Sequence, residues 1–126
     1  MLLCAYLTGC ATVPSASEIA AVGYGQPLTI DWQAAVKEWF LNDLKDPLSA
    51  QYIFYSKPVP GYVTLSPVEG EKLLVGYKVV VKANAKNGFG GFVGFKPYLF
   101  LFRDNRLIFA VGPDSEMDTA LLTPYE

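Results

Sequence analysis

The hydrophobic positions of the chain follow a helical period first and a strand period afterwards. Between residues 31 and 45 the large apolar side chains recur every three or four positions, which predicts an amphipathic helix. Thr29 or Asp31 is placed as the N-cap, and Pro47 ends the helix because proline disfavours helical backbone at the preceding residue. The stripe that should pack on a sheet consists of Trp32, Ala35, Val36, Trp39, Phe40 and Leu44.

After this helix the apolar residues alternate with polar ones, as they do in strands. In 73–86 the odd positions are apolar, so one face should be buried and the other wet. Shorter strands are predicted at 51–55, 62–65, 93–102 and 106–111. The pattern therefore predicts an α+β fold in which one N-terminal helix packs on a four- to five-stranded antiparallel meander sheet. Polar even positions of the long strand are Lys78, Lys82, Asn84 and Lys86.

Two dipeptides predict the tight turns between the later strands, and one proline constrains the strand between them. Asn87-Gly88 begins one hairpin turn and Asp104-Asn105 forms the other. Pro97 has no N–H to donate, so we expect it at a bulge or at an edge-facing position.

The start of the chain predicts a membrane anchor. Residues 1–9 carry no charge, and Leu7-Thr8-Gly9-Cys10 resembles the lipobox that ends a bacterial lipoprotein signal peptide. The resemblance implies that Cys10 is lipidated and becomes the first mature residue. We expect this signal to be shortened at its N-terminus, because secretory signals normally have a basic n-region and a longer apolar stretch. The alternative is a buried first strand in which Cys10 is a core thiol.

The remaining chain divides into a tether and one domain. Residues 10–27 are small and polar, which predicts a lipidated flexible tether, and residues 28–126 suffice for a single α+β domain. Each buried acyl methylene contributes about 0.8 kcal/mol, so the lipid should anchor the protein firmly. Because Ala11 rather than Asp follows Cys10, the resemblance implies an outer-membrane lipoprotein that faces the periplasm.

The inventory of reactive residues argues against an enzyme. The chain has no histidine, which removes the usual general base and the histidine-based metal sites. The ten basic residues are scattered and nearly balance the twelve acidic ones, so nucleic acid is not an expected partner. Asp114, Glu116 and Asp118 alternate as in a calcium loop, but Thr119 and Tyr125 stand where that loop needs glycine and a bidentate acid. We therefore expect no catalytic residue, no cofactor and no metal.

The glycine-rich segment 88–94 predicts a hairpin tip. It lacks the spacing of a phosphate-binding loop, and a strand follows it rather than a helix. Phenylalanines at such a tip are costly to leave in water, and aromatic residues are favoured interface anchors. The candidate partner-binding residues are Asn87, Phe89, Phe92 and Phe95. The alternative is a purely structural turn in which the glycines supply positive φ angles.

Two segments carry a resemblance to a family. The segments 44–52 and 84–98 contain an LKDPxSA helix end and an NAKNxFGG hairpin. Together with the lipobox they resemble a group of small bacterial lipoproteins of uncharacterised function. The resemblance implies an envelope location and a helix-to-sheet boundary near Pro47, and it implies no activity.

These observations lead to one expected function and one alternative. We expect a lipid-anchored periplasmic envelope protein that acts as a non-enzymatic protein-interaction module. Its partners would be the membrane, through acylated Cys10, and an envelope protein. The alternative is a module that binds glycan or cell wall, or that inhibits a lytic enzyme. Solvent-exposed aromatic residues in one cluster would favour glycan binding.

Overall fold

A computed structural model describes residues 14–55, 57–65 and 72–113. In this part of the chain, helices α1 (Ala16–Val22) and α2 (Trp32–Asp43) are followed by a 3₁₀ turn at Pro47–Ser49. Five strands come next: β1 (Gln51–Phe54), β2 (Val59–Leu65), β3 (Lys72–Asn84), β4 (Lys96–Arg103) and β5 (Arg106–Val111). All of their pairings are antiparallel, so the predicted α+β class with an antiparallel sheet is confirmed.

The sheet is built around β3, which is long enough to pair with two strands along one edge. Strand β1 pairs with the end of β3, where Gln51 lies opposite Asn84, and β2 pairs with its beginning, where Val59 lies opposite Lys78. Strands β4 and β5 follow in order on the other edge. Only β3, β4 and β5 therefore form a simple meander, because β1 and β2 share an edge of the same strand.

Helix α1 occupies part of the segment that we expected to be a flexible tether. Ser15 caps it through a capping box, in which the Ser15 hydroxyl accepts a hydrogen bond from the Glu18 N–H. The Arg103 guanidinium donates hydrogen bonds to the carbonyls of Val22 and Gly23 at the C-terminal end of the helix, and to that of Val75 on β3. Residues 22–23 are thus bonded to the sheet.

One face of the sheet forms a core with side chains of α2. The Asp31 carboxylate accepts a hydrogen bond from the Ala34 N–H, so Asp31 is the N-cap. The ring centroids of Phe40 and Tyr98 lie 4.7 Å apart, and those of Trp39 and Phe100 lie 5.2 Å apart. Phe40 is fully buried, and replacing such a side chain by alanine typically costs about 3–5 kcal/mol. The buried members of this core are Val36, Phe40, Val79, Val81, Ala83, Tyr98, Phe100 and Phe102.

The opposite face of the sheet is buried around the centre of β3, whereas the alternation of apolar and polar residues predicted that it would be exposed to solvent. Val63, Val80, Leu99 and Leu101 are buried together in a second apolar cluster. Lys78 and Asn84, which were expected in water, are only 5% and 8% exposed. Alternation failed here because the neighbours on β2 and β4 are apolar on both faces, which the pattern of β3 alone does not reveal.

The turn and the proline between the later strands lie as predicted. Asp104 and Asn105 both have positive φ angles, of 52° and 63°, which a tight two-residue hairpin turn requires. Pro97 pairs with Lys82 on β3, whereas the pairing of β4 with β5 reaches only as far as Leu99. Pro97 therefore lies on a stretch of β4 that β5 does not cover, which tolerates a missing N–H.

Candidate functional site

The tip between β3 and β4 is an ordered loop organised by Asn87. The Asn87 side-chain oxygen accepts hydrogen bonds from the N–H groups of Phe89 and Gly91, at 2.9 and 3.2 Å. The Asn87 N–H donates to the Gly91 carbonyl, and the Gly90 N–H donates to the Asn87 carbonyl. Gly90 has a φ of 82°, which suits glycine. Asn87 therefore shapes the tip through its own hydrogen bonds, while the phenylalanines form its surface.

Below the tip, the buried Asn84 ties the hairpin to the sheet. Its side-chain oxygen accepts a hydrogen bond from the Gly94 N–H at 2.9 Å, and its amide nitrogen donates to the Gln51 side chain at 3.2 Å. The Val93 N–H also donates to the Ala85 carbonyl. The loop after the tip is thereby held against both β1 and β3.

All three predicted phenylalanines are exposed at this tip. Phe89 is 99% exposed, and Phe92 and Phe95 are 48% and 43% exposed. Val93 between them is also exposed. Phe92 is partly held by Lys86, whose ammonium nitrogen lies 5.6 Å from the centre of the ring. Large apolar side chains in this number at one loop are unusual on a soluble surface unless something binds them.

Leu48, which was not predicted from the sequence, lies beside the base of the hairpin. Leu48 is 92% exposed in the 3₁₀ turn. Its neighbour Ser49 accepts a hydrogen bond from the Lys86 N–H at 3.0 Å, which brings this turn to the hairpin. Helix α2 ends at Asp43, four residues before the proline that was predicted to end it, and Pro47 instead begins the 3₁₀ turn. A leucine directly after this proline was the available signal. We define the hairpin end as the exposed residues Leu48, Phe89, Phe92, Val93 and Phe95.

Basic side chains flank the tip of the hairpin. Residues 72–103 contain six of the ten basic residues of the chain and none of its twelve acidic residues. Lys86 and Lys96 flank the tip, and both are exposed. The hairpin therefore favours an acidic surface at close range. The basic residues of this segment are Lys72, Lys78, Lys82, Lys86, Lys96 and Arg103.

Away from the hairpin, burial shifts the pKa of three groups among the residues that the structure describes. Desolvation lowers the pKa of Lys78, which lies on the second face of the sheet with its stem beside Gly61. Desolvation raises the pKa of the Tyr52 hydroxyl and of the Asp43 carboxyl. Asp43 is the last residue of α2, where a carboxylate also opposes the helix dipole.

The other sequence-based candidates lie outside the described residues. These are Cys10, the predicted lipidation site, and the acidic group Asp114, Glu116 and Asp118. Within residues 14–55, 57–65 and 72–113, no three side chains of the metal-ligating types come together.

A cleft of about 400 Å³ lies far from the hairpin end, at the N-terminus of α2. Trp32 and Gln33 come from the first turn of α2, and Tyr77 comes from β3. Residues 27–28 form one wall and residues 57–58 another. The lining residues are Pro27, Leu28, Trp32, Gln33, Lys57, Pro58 and Tyr77.

Comparison of the chain with protein-family models, curated proteins and solved structures gives no match. None of the helices in the described ranges has the length and apolar character needed to cross a membrane.

Proposed function

We propose that this protein is a lipid-anchored, non-enzymatic envelope protein that binds a protein partner in the periplasm through its hairpin end. The observation that carries the proposal is the nearly complete exposure of Phe89 on a tip that hydrogen bonds hold in one shape. A preorganised tip loses little conformational freedom on binding, so the burial of its side chains contributes more fully to affinity. Burying one phenylalanine contributes about 1.5–3 kcal/mol.

The partner surface should have an apolar slot and an acidic rim. The slot would receive Phe89, whose protrusion suits a concave site in the way that aromatic anchors fill pockets at interfaces. The rim would face Lys86 and Lys96, on a segment without acidic residues. Such complementarity raises the rate of association and disfavours basic partners.

The rest of the proposal concerns the anchor and the scaffold. Cys10 is proposed as the acylated residue of an outer-membrane lipoprotein, on the family resemblance. The predicted tether of residues 10–27 is shortened in this proposal to the part before Val22, because Arg103 and Asp104 bond residues 22–26 to the domain. Helix α2 is proposed as the cover of one sheet face, which is supported by the ring contacts of Trp39 and Phe40. Growth with a tagged fatty acid tests the anchor, because the label should enter the wild type and not Cys10→Ser. Equal labelling of both would exclude acylation at Cys10.

In-cell photocrosslinking tests the interaction. A photoreactive amino acid at position 89 or 92 of the full-length chain should capture one envelope protein, identified by mass spectrometry. The same partner should be lost when Phe89→Ser or Leu48→Ser is combined with a probe at position 92. Leu41 is an exposed leucine on α2 outside the hairpin end, so Leu41→Ser is the matched control and should keep the partner.

Two results would overturn this proposal. Capture of lipid at positions 89 and 92, together with binding of the purified protein to vesicles of anionic phospholipid, would make the hairpin end a membrane contact. If no molecule is captured while circular dichroism shows that the probe variants are folded, the hairpin end does not bind a partner, and the hairpin is a purely structural turn.

A further inference from the structure

The cleft at the N-terminus of α2 has the composition of a small-molecule site. Its volume of about 400 Å³ falls within the range of ligand pockets, which are mostly apolar with a few polar groups. The aromatic rings of Trp32 and Tyr77 and the rings of two prolines provide rigid apolar walls. Gln33 provides a carboxamide and Lys57 an ammonium group, and none of the described residues that line the cleft is acidic.

Tertiary hydrogen bonds fix the wall that precedes α2. The Thr29 N–H donates to the Asn105 side-chain oxygen at 2.9 Å, and the Asn105 amide nitrogen donates back to the Thr29 hydroxyl at 2.9 Å. The Gln26 N–H donates to the Asp104 carboxylate at 3.2 Å. The segment with Pro27 and Leu28 is therefore bound on both sides to the β4–β5 turn.

The floor of the cleft is braced as well. Trp32 meets the ring of Phe54 edge to face, with centroids 5.7 Å apart, so its indole is held on the sheet. Asp31 caps α2 and positions the first helical turn, from which the exposed Gln33 projects. A site with one wall fixed by hydrogen bonds and a fixed aromatic floor needs little reorganisation on those two sides to bind a ligand.

These groups match one ligand chemistry. A pyranose ring has a flat C–H face that packs on aromatic and proline rings, and hydroxyls at its edge that need hydrogen-bonding partners. An acetamido substituent has one N–H donor and one carbonyl acceptor, and a glutamine side chain offers the complementary acceptor and donors. The methyl group of that substituent suits the apolar walls.

We propose that this cleft binds a pyranose sugar that carries an acetamido group, with Trp32 as the ring platform and Gln33 as the partner of the acetamido group. The cleft and the hairpin end share no residue, so this site is independent of the proposed protein partner. A protein of the cell envelope would meet such sugars in the cell wall, which gives the glycan alternative a specific location.

Nuclear magnetic resonance on the full-length chain tests the proposal without altering the protein. The chain has two tryptophans, Trp32 in the cleft and Trp39 in the core, and so two indole N–H signals. Titration with N,N′-diacetylchitobiose should shift the Trp32 signal saturably and leave the Trp39 signal in place. Cellobiose has the same linkage and no acetamido group, and it should bind about tenfold more weakly because two hydrogen bonds are lost.

Variants on the same helix identify the acetamido contact. Gln33→Ala should weaken binding of diacetylchitobiose about tenfold and abolish the preference over cellobiose. Asn42→Ala removes an exposed amide from the other end of α2 and should change nothing. The proposal would be overturned by no shift of the Trp32 signal, by equal binding of the two sugars, or by a Gln33→Ala protein that keeps the preference.

Discussion

Asn84 links the sheet to the hairpin end, so its replacement by alanine should loosen the tip without unfolding the domain. The side chain is 8% exposed and makes two hydrogen bonds, one with the Gly94 N–H and one with Gln51. Asn84→Ala removes both and leaves the paired backbone of β1 and β3 in place.

The size of the effect follows from the partners that remain. A typical hydrogen bond contributes about 1 kcal/mol net, and both Gly94 and Gln51 are exposed enough to turn to water. The expected loss of unfolding free energy is therefore about 1–2 kcal/mol, below the penalty for two buried unsatisfied groups. For a domain of this size that lowers the melting temperature by roughly 4–8 °C per kcal/mol. Gln51→Ala removes only one of the bonds, but it leaves the amide nitrogen of the buried Asn84 without its partner, so it should cost about 1–3 kcal/mol.

Amide hydrogen exchange and thermal unfolding by circular dichroism together measure this prediction. Exchange at Val93 and Gly94 should accelerate in Asn84→Ala and stay near wild type in Gln51→Ala, because only the first variant frees the loop after the tip. If Gly94 exchanges equally fast in the two variants, then Asn84 does not hold the hairpin, and this hydrogen bond does not preorganise the tip.

Three further substitutions test the strand packing and the titratable groups. Gly76→Ala would place its Cβ 2.1 Å from the Phe102 carbonyl oxygen, so urea unfolding should show a loss of about 3 kcal/mol in the free energy of unfolding. In the control Gly88→Ala the new Cβ meets nothing within 4 Å, so its free energy of unfolding should stay within about 0.5 kcal/mol of wild type. Equal losses in the two variants would contradict this. Burial lowers the pKa of Lys78, so the unfolded chain binds more protons than the folded one as pH approaches 10.5, the ordinary pKa of lysine. The free energy of unfolding should therefore rise with pH in this range, and Lys78→Met should abolish the rise. An unchanged dependence on pH in Lys78→Met would refute the prediction. Burial raises the pKa of Asp43 from 3.8, so the contribution of its carboxyl group to the free energy of unfolding falls as pH rises from acid to neutral. Asp43→Asn should therefore raise the free energy of unfolding by about 0.3 kcal/mol at neutral pH and low salt. An equal gain at a pH where the acid is protonated would contradict this cause.

The candidate site was predicted from sequence where local chemistry sufficed. Phe89, Phe92 and Phe95 stand among glycines, and the structure places all three at the surface of the tip. Leu48 was missed because its place beside the hairpin depends on the hydrogen bond that joins Ser49 to Lys86 across 37 positions of sequence. The cleft was missed for a similar reason, since its lining comes from three separate segments.

The local pattern by itself predicted helix α2 and the strands that follow it, because spacing and capping act between near neighbours in the chain. It left Thr29 or Asp31 open as the N-cap, and it began the second and fourth strands at residues 62 and 93, whereas they begin at Val59 and Lys96. The glycine and asparagine chemistry of the turns was likewise legible in the sequence. Only the tertiary structure decided that β1 and β2 share one edge of β3, and that both faces of β3 are buried near its centre. It also decided that Asn84 holds the hairpin and that Asn105 fixes the wall of the cleft. These features depend on which distant segments of the chain pack together. A hydrophobic period predicts on which face of its helix or strand a residue lies, but it does not predict which segment covers that face.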